Sequence, residues 1–498
     1  MEAYEKLERR FAKINRLREV LAVLGWDHAT MMPTGGAEAR SEQMAMLKGM
    51  THDLLTRPQV EQWLDAVGEG ETLDEWRQAN VREMRRQWVH AASVPSELIE
   101  EVSRKGSECE ILWRMARKDD DFDRLAPLLQ EVLELSREVA AVKAEALGVG
   151  LYDALLDQYE PGGSSEKLDE VFGDLAEFLP GFLEEVLDHQ ARSPEPVPPT
   201  GPFPLVDQQR LAHRMMEALG FDFEHGRLDT SHHPFCGGYP EDVRLTTFYD
   251  EGNFLRSTMA VLHETGHAMY SRGLPANWRA QPVGRARGMG VHESQSLFVE
   301  MQVGRSRSFV RWAAPLYREV FNGSGEQWSV DNIHRIKTNV RRSLIRVDAD
   351  EVTYPAHVIL RYRLEKAMIE GDLDVVDLPA MWNEGMDELV GVTPDDDRDG
   401  CMQDIHWMDG MFGYFPTYTL GGLMAAQLFD AASRDIGDID AAIEAGEFSV
   451  IMDWLGENVH SKGCRLTTEE LLKEVTGSGL DASYFKEHLR RRYLADEG

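Results

Sequence analysis

The stretch LHETGH, residues 262–267, places His263 and His267 four positions apart with Glu264 directly after the first histidine. In an α-helix, positions i and i+4 differ by about 400° of rotation, so both rings share a face roughly 6 Å apart. Two imidazole nitrogens so placed can meet one zinc ion at about 2.0–2.1 Å each. Glu264 is turned by about 100°, better placed to hold a water than to ligate. The chemistry this suits is hydrolysis. Zinc lowers the pKa of its bound water toward about 7, and Glu264 would take the proton during attack on a carbonyl and return it to the leaving amine. The competing reading is an ordinary helix with two histidines. With 16 histidines in the chain, the spacing alone does not decide.

A catalytic zinc takes a third protein ligand and keeps one position open. After LHETGH comes GLPANWRAQPVGRARGMG, a loop by its glycines and prolines, and then VHESQSLFVEMQVGRS, a second segment of helical periodicity. Glu293 at the start of that segment is the favoured third ligand, as in the thermolysin-like arrangement; His292 and Glu300 are competitors.

The elements around these residues are helical. YEKLERRFAKINRLREVLAVLGW, DRLAPLLQEVLELSREVAAVKAEALG and SEKLDEVFGDLAEFLPGFLEEVLDHQA all repeat apolar residues at spacings of three and four. Asn253 can cap the helix that carries LHETGH and Gly273 can end it, while Thr467 and Glu470 form a capping box further on. Prolines in RSPEPVPPTGPFPL, residues 192–205, divide a helical N-terminal lobe (1–191) from a catalytic lobe (192–498), the two forming one continuous fold. The best strand is DVRLTTFY, residues 242–249, following the turn CGGYP. The fold class is therefore mainly α with a small β ribbon beside the active site.

Composition narrows the setting. Hydrophobic residues make up 42% and charged residues 28%, as in a water-soluble chain with a substantial core. No window reaches the roughly 18 apolar residues that span a bilayer, and MEAYEKLERRFAKINRL does not resemble a secretory signal, so the expected setting is cytoplasmic, without a membrane partner. Cys109, Cys236, Cys401 and Cys464 lack CxxC spacing, which argues against a thiolate metal site. The net charge of −34 argues against nucleic acid as a partner. It suits a solvated acidic surface; with only 12 lysines, adaptation to high salt is a sharper reading of the same balance.

Six motifs then appear in order: HPF (233–235), DVRLT (242–246), LHETGH, HESQ (292–295), IRVDAD (345–350) and GCMQDIHW (400–407). Together with GWDHATMMPTGGAEARSEQ and LYDALLDQYEPG upstream, they resemble the thermostable carboxypeptidase (carboxypeptidase Taq) family across nearly the whole chain. His28 stands where that family suggests glutamine, and no chemical step rests on it. The resemblance implies a large helical fold of the HExxH…E type with a substrate groove, assembled as a homodimer. It also implies removal of C-terminal residues from peptides with zinc or cobalt, one ion per subunit, held by His263, His267 and Glu293 with Glu264 as the catalytic carboxylate.

An enzyme acting at a free C-terminus needs a cation for the terminal carboxylate, and arginine's fork matches two oxygens. Arg346 is favoured over Arg244, whose competing role is pairing with Asp242; for Arg346 the competing partners are Asp348 and Asp350. Donors to the developing oxyanion could be His233, Tyr414 or Tyr418. His406 could bind substrate or sit in the core, and Asp404, beside Gln403, could support a ligand histidine. If the edge of DVRLTTFY faces the groove, substrate can add as a further strand, which predicts broad specificity with proline disfavoured. Two other functions compete: a zinc oligopeptidase or endopeptidase, separable by whether a blocked C-terminus abolishes cleavage, and an inert peptide-binding protein, disfavoured by the intact Glu264.

Overall fold

Helical periodicity becomes helix almost throughout the computed structural model, which describes residues 2–68 and 73–495. Helix α1 (Glu2–Thr30) buries Tyr4, Leu7, Phe11 and Ile14, the stripe that its spacing predicts. Helices α2 (Ala37–Thr56), α3 (Pro58–Gly68) and α4 (Glu75–Ala92) close over that stripe with Leu55, Val60, Leu64 and Met84. Helices α5 (Ser96–Asp119), α6 (Phe122–Leu147), α7 (Leu151–Tyr159) and α8 (Ser165–Gln190) follow. Residues 192–204 hold neither helix nor strand, and α9 (Leu205–Ala218) begins directly after them. Side chains from both sides of this segment, Cys109 to Tyr493, belong to one hydrophobic core.

The expected strand starts at Asp242 and ends at Thr247, two residues before Tyr249. The small β element is a three-stranded sheet of β1 (Gly226–Thr230), β2 (Phe235–Tyr239) and β3 (Asp242–Thr247), in the order β1-β3-β2. Strand β3 runs parallel to β1, pairing Leu245 with Leu228, and antiparallel to β2, pairing Leu245 with Cys236. Both edges of β3 are thus taken, and a substrate cannot add to it; β1 and β2 are the edge strands. The glycines of β2 and the mixed GRLDT of β1 hide these strands from a search for alternating apolar residues. On the buried face, Val243 and Leu245 meet Val261 and Ala268 of α10 (Phe254–Gly273), so the sheet lies against the helix that carries LHETGH.

Asn253 caps α10, accepting from the N–H groups of Leu255 and Arg256 at 3.2 and 3.4 Å. The loop after Gly273 leads to α11 (Met289–Leu297), which continues as a π-helix over Phe298–Gly304. The rest of the chain builds α12 (Arg307–Phe321), α13 (Val330–Lys337), α14 (Tyr354–Glu370) and α15 (Leu378–Val390). It ends with α16 (Pro416–Ile436), α17 (Ile439–Ala445), α18 (Ser449–Asn458), α19 (Thr468–Thr476) and α20 (Ala482–Tyr493). The capping box of Thr467 and Glu470 opens α19. None of the described helices is long and apolar enough to cross a membrane.

Two glycines set how closely the helices of the site approach. A Cβ on Gly266 of α10 would lie 2.5 Å from the Gln295 carbonyl oxygen of α11. A Cβ on Gly421 of α16 would lie 2.6 Å from Cβ and Cγ of Glu293. Helix α11 is therefore held between two backbones that approach without side chains between them.

Candidate metal centre

His263 and His267 sit one turn apart on α10 with ring centroids 4.8 Å apart and planes at 88°. Their Nε2 atoms lie 3.9 and 3.5 Å from Oε2 of Glu293 on α11. Among the described residues these three form the only group of His, Cys, Asp or Glu side chains whose ligand atoms could hold a metal, all within 4.8 Å of one another.

The opposite ring nitrogens are already engaged. His267 Nδ1 is 3.1 Å from the carbonyl oxygen of His292, which can only accept, so Nδ1 carries the proton and Nε2 keeps its lone pair. His263 Nδ1 is 3.0 Å from Oε2 of Glu300, whose other oxygen accepts from Arg305 at 3.3 Å. Both histidines are thereby turned with Nε2 toward Glu293, the orientation a cation requires. The donor set of two nitrogens and a carboxylate fits a divalent metal such as zinc.

The electrostatics agree. Burial works against a charge on His263, but Glu293, Glu300 and Glu264 outweigh it and push its pKa up to about 10. Burial raises the Glu293 carboxyl, yet His263 and His267 hold it down at about 2. The cluster favours a positive charge at its centre.

Glu264 is 6% exposed, and its Oε2 atom has no hydrogen-bond partner. Burial pushes its pKa up while the two histidines oppose the shift. A buried carboxylate oxygen without a protein donor is rare in a folded chain, and here it lies directly beside the histidine pair. Cys236 of β2 packs against the cluster that includes Val261 and Ala268 of α10, and burial together with the charge of Glu264 pushes its thiol up.

A pocket of about 200 Å³ opens from the cluster, lined by His263, Glu293, Glu300, Arg305, Tyr354 and Tyr418 among others. Arg346, in a short turn before α14, donates through Nε and Nη2 to Asp404 at 2.7–3.3 Å and through Nη1 to the Tyr354 hydroxyl at 2.8 Å. Its guanidinium lies 5.1 Å from the ring centre of Tyr418. Asp348 and Asp350 are not its partners: Asp348 faces Arg256, and Asp350 accepts from backbone N–H groups of Arg341, Val352 and Thr353.

The expected place of Asp404 needs correction. Asp404 meets neither His263 nor His267; it is shared by Arg346 and Arg361, and Arg361 reaches it with Nε at 2.7 Å. Gln403 likewise serves Arg346, accepting from its backbone N–H at 2.8 Å. The physical reason is charge: two buried guanidinium groups need a carboxylate more than a neutral imidazole does. The carboxylate that holds the outer nitrogen of a motif histidine is Glu300, which the spacing offers only as a competing ligand. It lies on the same apolar-periodic segment as Glu293, and that periodicity was the available signal.

Tyr418 lines the pocket, its hydroxyl 3.4 Å from His406 Nε2, and the Tyr414 ring packs edge-on against Tyr418 at 5.3 Å. His292 faces the site through its carbonyl oxygen; its ring is buried, which pushes its pKa down to about 3. Two candidates stand apart. His233 is exposed between β1 and β2, its ring against His232. Arg244 pairs with Asp242 at 2.7 Å and stacks over Trp26 of α1, on the sheet face turned away from α10.

The family model of the Carboxypeptidase Taq (M32) metallopeptidases matches residues 6–493. The chain belongs to this family. It is 40% identical to thermostable carboxypeptidase 1 of Thermus thermophilus, over 99% of this chain and 98% of that one. It is 34% identical to carboxypeptidase 1 of Bacillus subtilis, over 97% and 96% respectively. Among solved structures it is similar to metallocarboxypeptidase 1 of Trypanosoma cruzi, with a TM-score of 0.96 and 41% identity over 99% of this chain and all of the other. As a member of this family the chain is a metallocarboxypeptidase acting with a divalent metal on peptides.

Proposed function

We propose that the chain is a cytoplasmic, homodimeric enzyme, loaded with zinc or cobalt, that releases C-terminal residues from peptides. In this reading His263, His267 and Glu293 hold the ion and Glu264 moves the proton. The observation that carries it is the convergence of both histidine Nε2 atoms on Glu293 while their Nδ1 atoms are held by Glu300 and the His292 carbonyl.

When loaded, the site supplies a Lewis acid that lowers the pKa of water and polarises the scissile carbonyl. Glu264 accepts the proton of the attacking water and delivers it to the leaving amine, a role suited to a buried carboxylate of raised pKa. Tyr418, backed by Tyr414 and His406, is the one of the candidate oxyanion donors that lines the pocket. Arg346 receives the terminal carboxylate; Asp404, Gln403 and Tyr354 hold its fork in place. Arg244 is disfavoured because it stacks on Trp26 of α1, on the sheet face turned away from α10 and the histidines. Main-chain recognition then falls to the outer edge of β2 rather than β3, which retains broad side-chain tolerance and disfavours a C-terminal proline.

The deciding experiment is cleavage of an N-blocked dipeptide as free acid and as amide, each with and without chelator. Chelator-sensitive release from the free acid alone is expected. Equal cleavage of both peptides would replace this reading with an endopeptidase-like or oligopeptidase groove. Separately, Glu300→Gln is expected to weaken metal binding roughly 10–100-fold by loosening the orientation of His263. Competition with a chromophoric chelator measures this, and an unchanged affinity would remove Glu300 from the site.

A further inference from the structure

The motif LYDALLDQYEPG lies far from the metal cluster in sequence, and the proposed mechanism leaves it without a role. We infer that Glu160 is a positioning residue for the metal centre, acting by capping the helix that delivers Glu293. The inference rests on the metallopeptidase reading above and adds a residue to it.

Gly288 precedes α11 at the N-cap position and has no side chain to cap its first turn. Glu160, at the C-terminal end of α7, supplies the missing acceptor: its Oε2 receives the Gly290 N–H at 3.0 Å. Its other oxygen receives the Thr468 hydroxyl at 2.8 Å, so one carboxylate ties together the starts of α11 and α19. The group is 5% exposed, and a buried carboxylate is retained only where donors surround it.

The fit is close. A Cβ on Gly290 would lie 2.7 Å from Glu160 Oε2, and one on Gly288 would lie 2.6 Å from Pro161 Cδ. The two glycines of the GMG sequence thus let the Tyr159–Pro161 turn rest directly on the helix start. Beside this contact Arg287 is held by Glu83 at 2.8 Å, and its N–H donates to the hydroxyl of Tyr270 on α10 at 3.0 Å.

One turn beyond Gly290 come the two atoms that matter to the cluster. They are the His292 carbonyl oxygen, which orients His267, and the Glu293 carboxylate, which faces both histidines. A carboxylate at the first turn also suits the positive end of the helix dipole. Loss of Glu160 releases the start of α11, and both atoms move together with it.

The test compares Glu160→Ala, Glu160→Gln, Gly290→Ala and Thr468→Val with the unaltered protein, measuring zinc dissociation constants, melting temperatures, kcat and KM. Glu160→Ala is expected to raise the zinc dissociation constant roughly 10–100-fold and to lower kcat, with KM nearly unchanged. Glu160→Gln keeps an oxygen for the Gly290 N–H and is expected to recover most of the affinity. Gly290→Ala, which pushes the carboxylate away, is expected to resemble Glu160→Ala. Thr468→Val removes only the α19 contact and is expected to lower the melting temperature without shifting zinc affinity. Should Glu160→Ala not fold, Gly290→Ala and Glu160→Gln decide. Zinc affinity unchanged in every folded variant at Glu160 and Gly290, with only a lower melting temperature, would overturn the inference. An unaltered protein that binds no zinc would instead sink the reading on which it rests.

Discussion

Replacement of Glu264 by glutamine is expected to lower kcat about a thousandfold, within the roughly 10²–10⁴ that a positioned acid–base group supplies. Glutamine has nearly the same shape, so the 6% exposed site need not repack. It cannot accept a proton from water, and that is the function assigned here. Metal affinity is expected to stay within a few-fold, because Glu264 lies outside the group formed by His263, His267 and Glu293. Kinetics with zinc titration on the same preparation measure both. A variant that keeps its rate would remove Glu264 as the base, and one that loses its metal would make Glu264 a ligand.

Arg346→Ala is expected to lower kcat/KM for free-acid peptides by about two to three orders of magnitude. Truncating one partner of a buried, hydrogen-bonded charge pair costs about 2–5 kcal/mol, and about 1.4 kcal/mol corresponds to tenfold. The loss of stability should fall at the low end, since Asp404 keeps Arg361 as a partner. Arg346→Lys is expected to recover little, because a single ammonium cannot span Asp404 and the Tyr354 hydroxyl together as the fork does. Free-acid and amidated peptides distinguish recognition from mere support. If the melting temperature falls but the preference for the free acid persists, Arg346 is structural and the terminal carboxylate is read elsewhere.

The centre of the site could be read from the chain because its chemistry is local. The spacing of His263 and His267 on one helix follows from the pitch of that helix, and Asn253 caps it through contacts two and three residues away. The capping box at Thr467 is equally local. Glu293 requires only that the next periodic segment return, and the six ordered motifs carry the family resemblance within the chain itself.

The remainder depends on contacts between distant segments. Asp404 meets Arg346 and Arg361 because three chain segments converge, and no spacing in GCMQDIHW reveals which cation is nearest. Strand β3 is central only because GRLDT, which carries no strand pattern of its own, pairs with it. Gly421 matters because α16 passes over Glu293, and Glu160 because α7 ends where α11 begins. Periodicity, caps and histidine spacing are set within a few residues of chain, so the sequence by itself determined the helices and the placing of His263 and His267 on one face. Ion-pair partners, sheet order and backbone approach are set by which surfaces meet when apolar area is buried, and only the tertiary structure decided those.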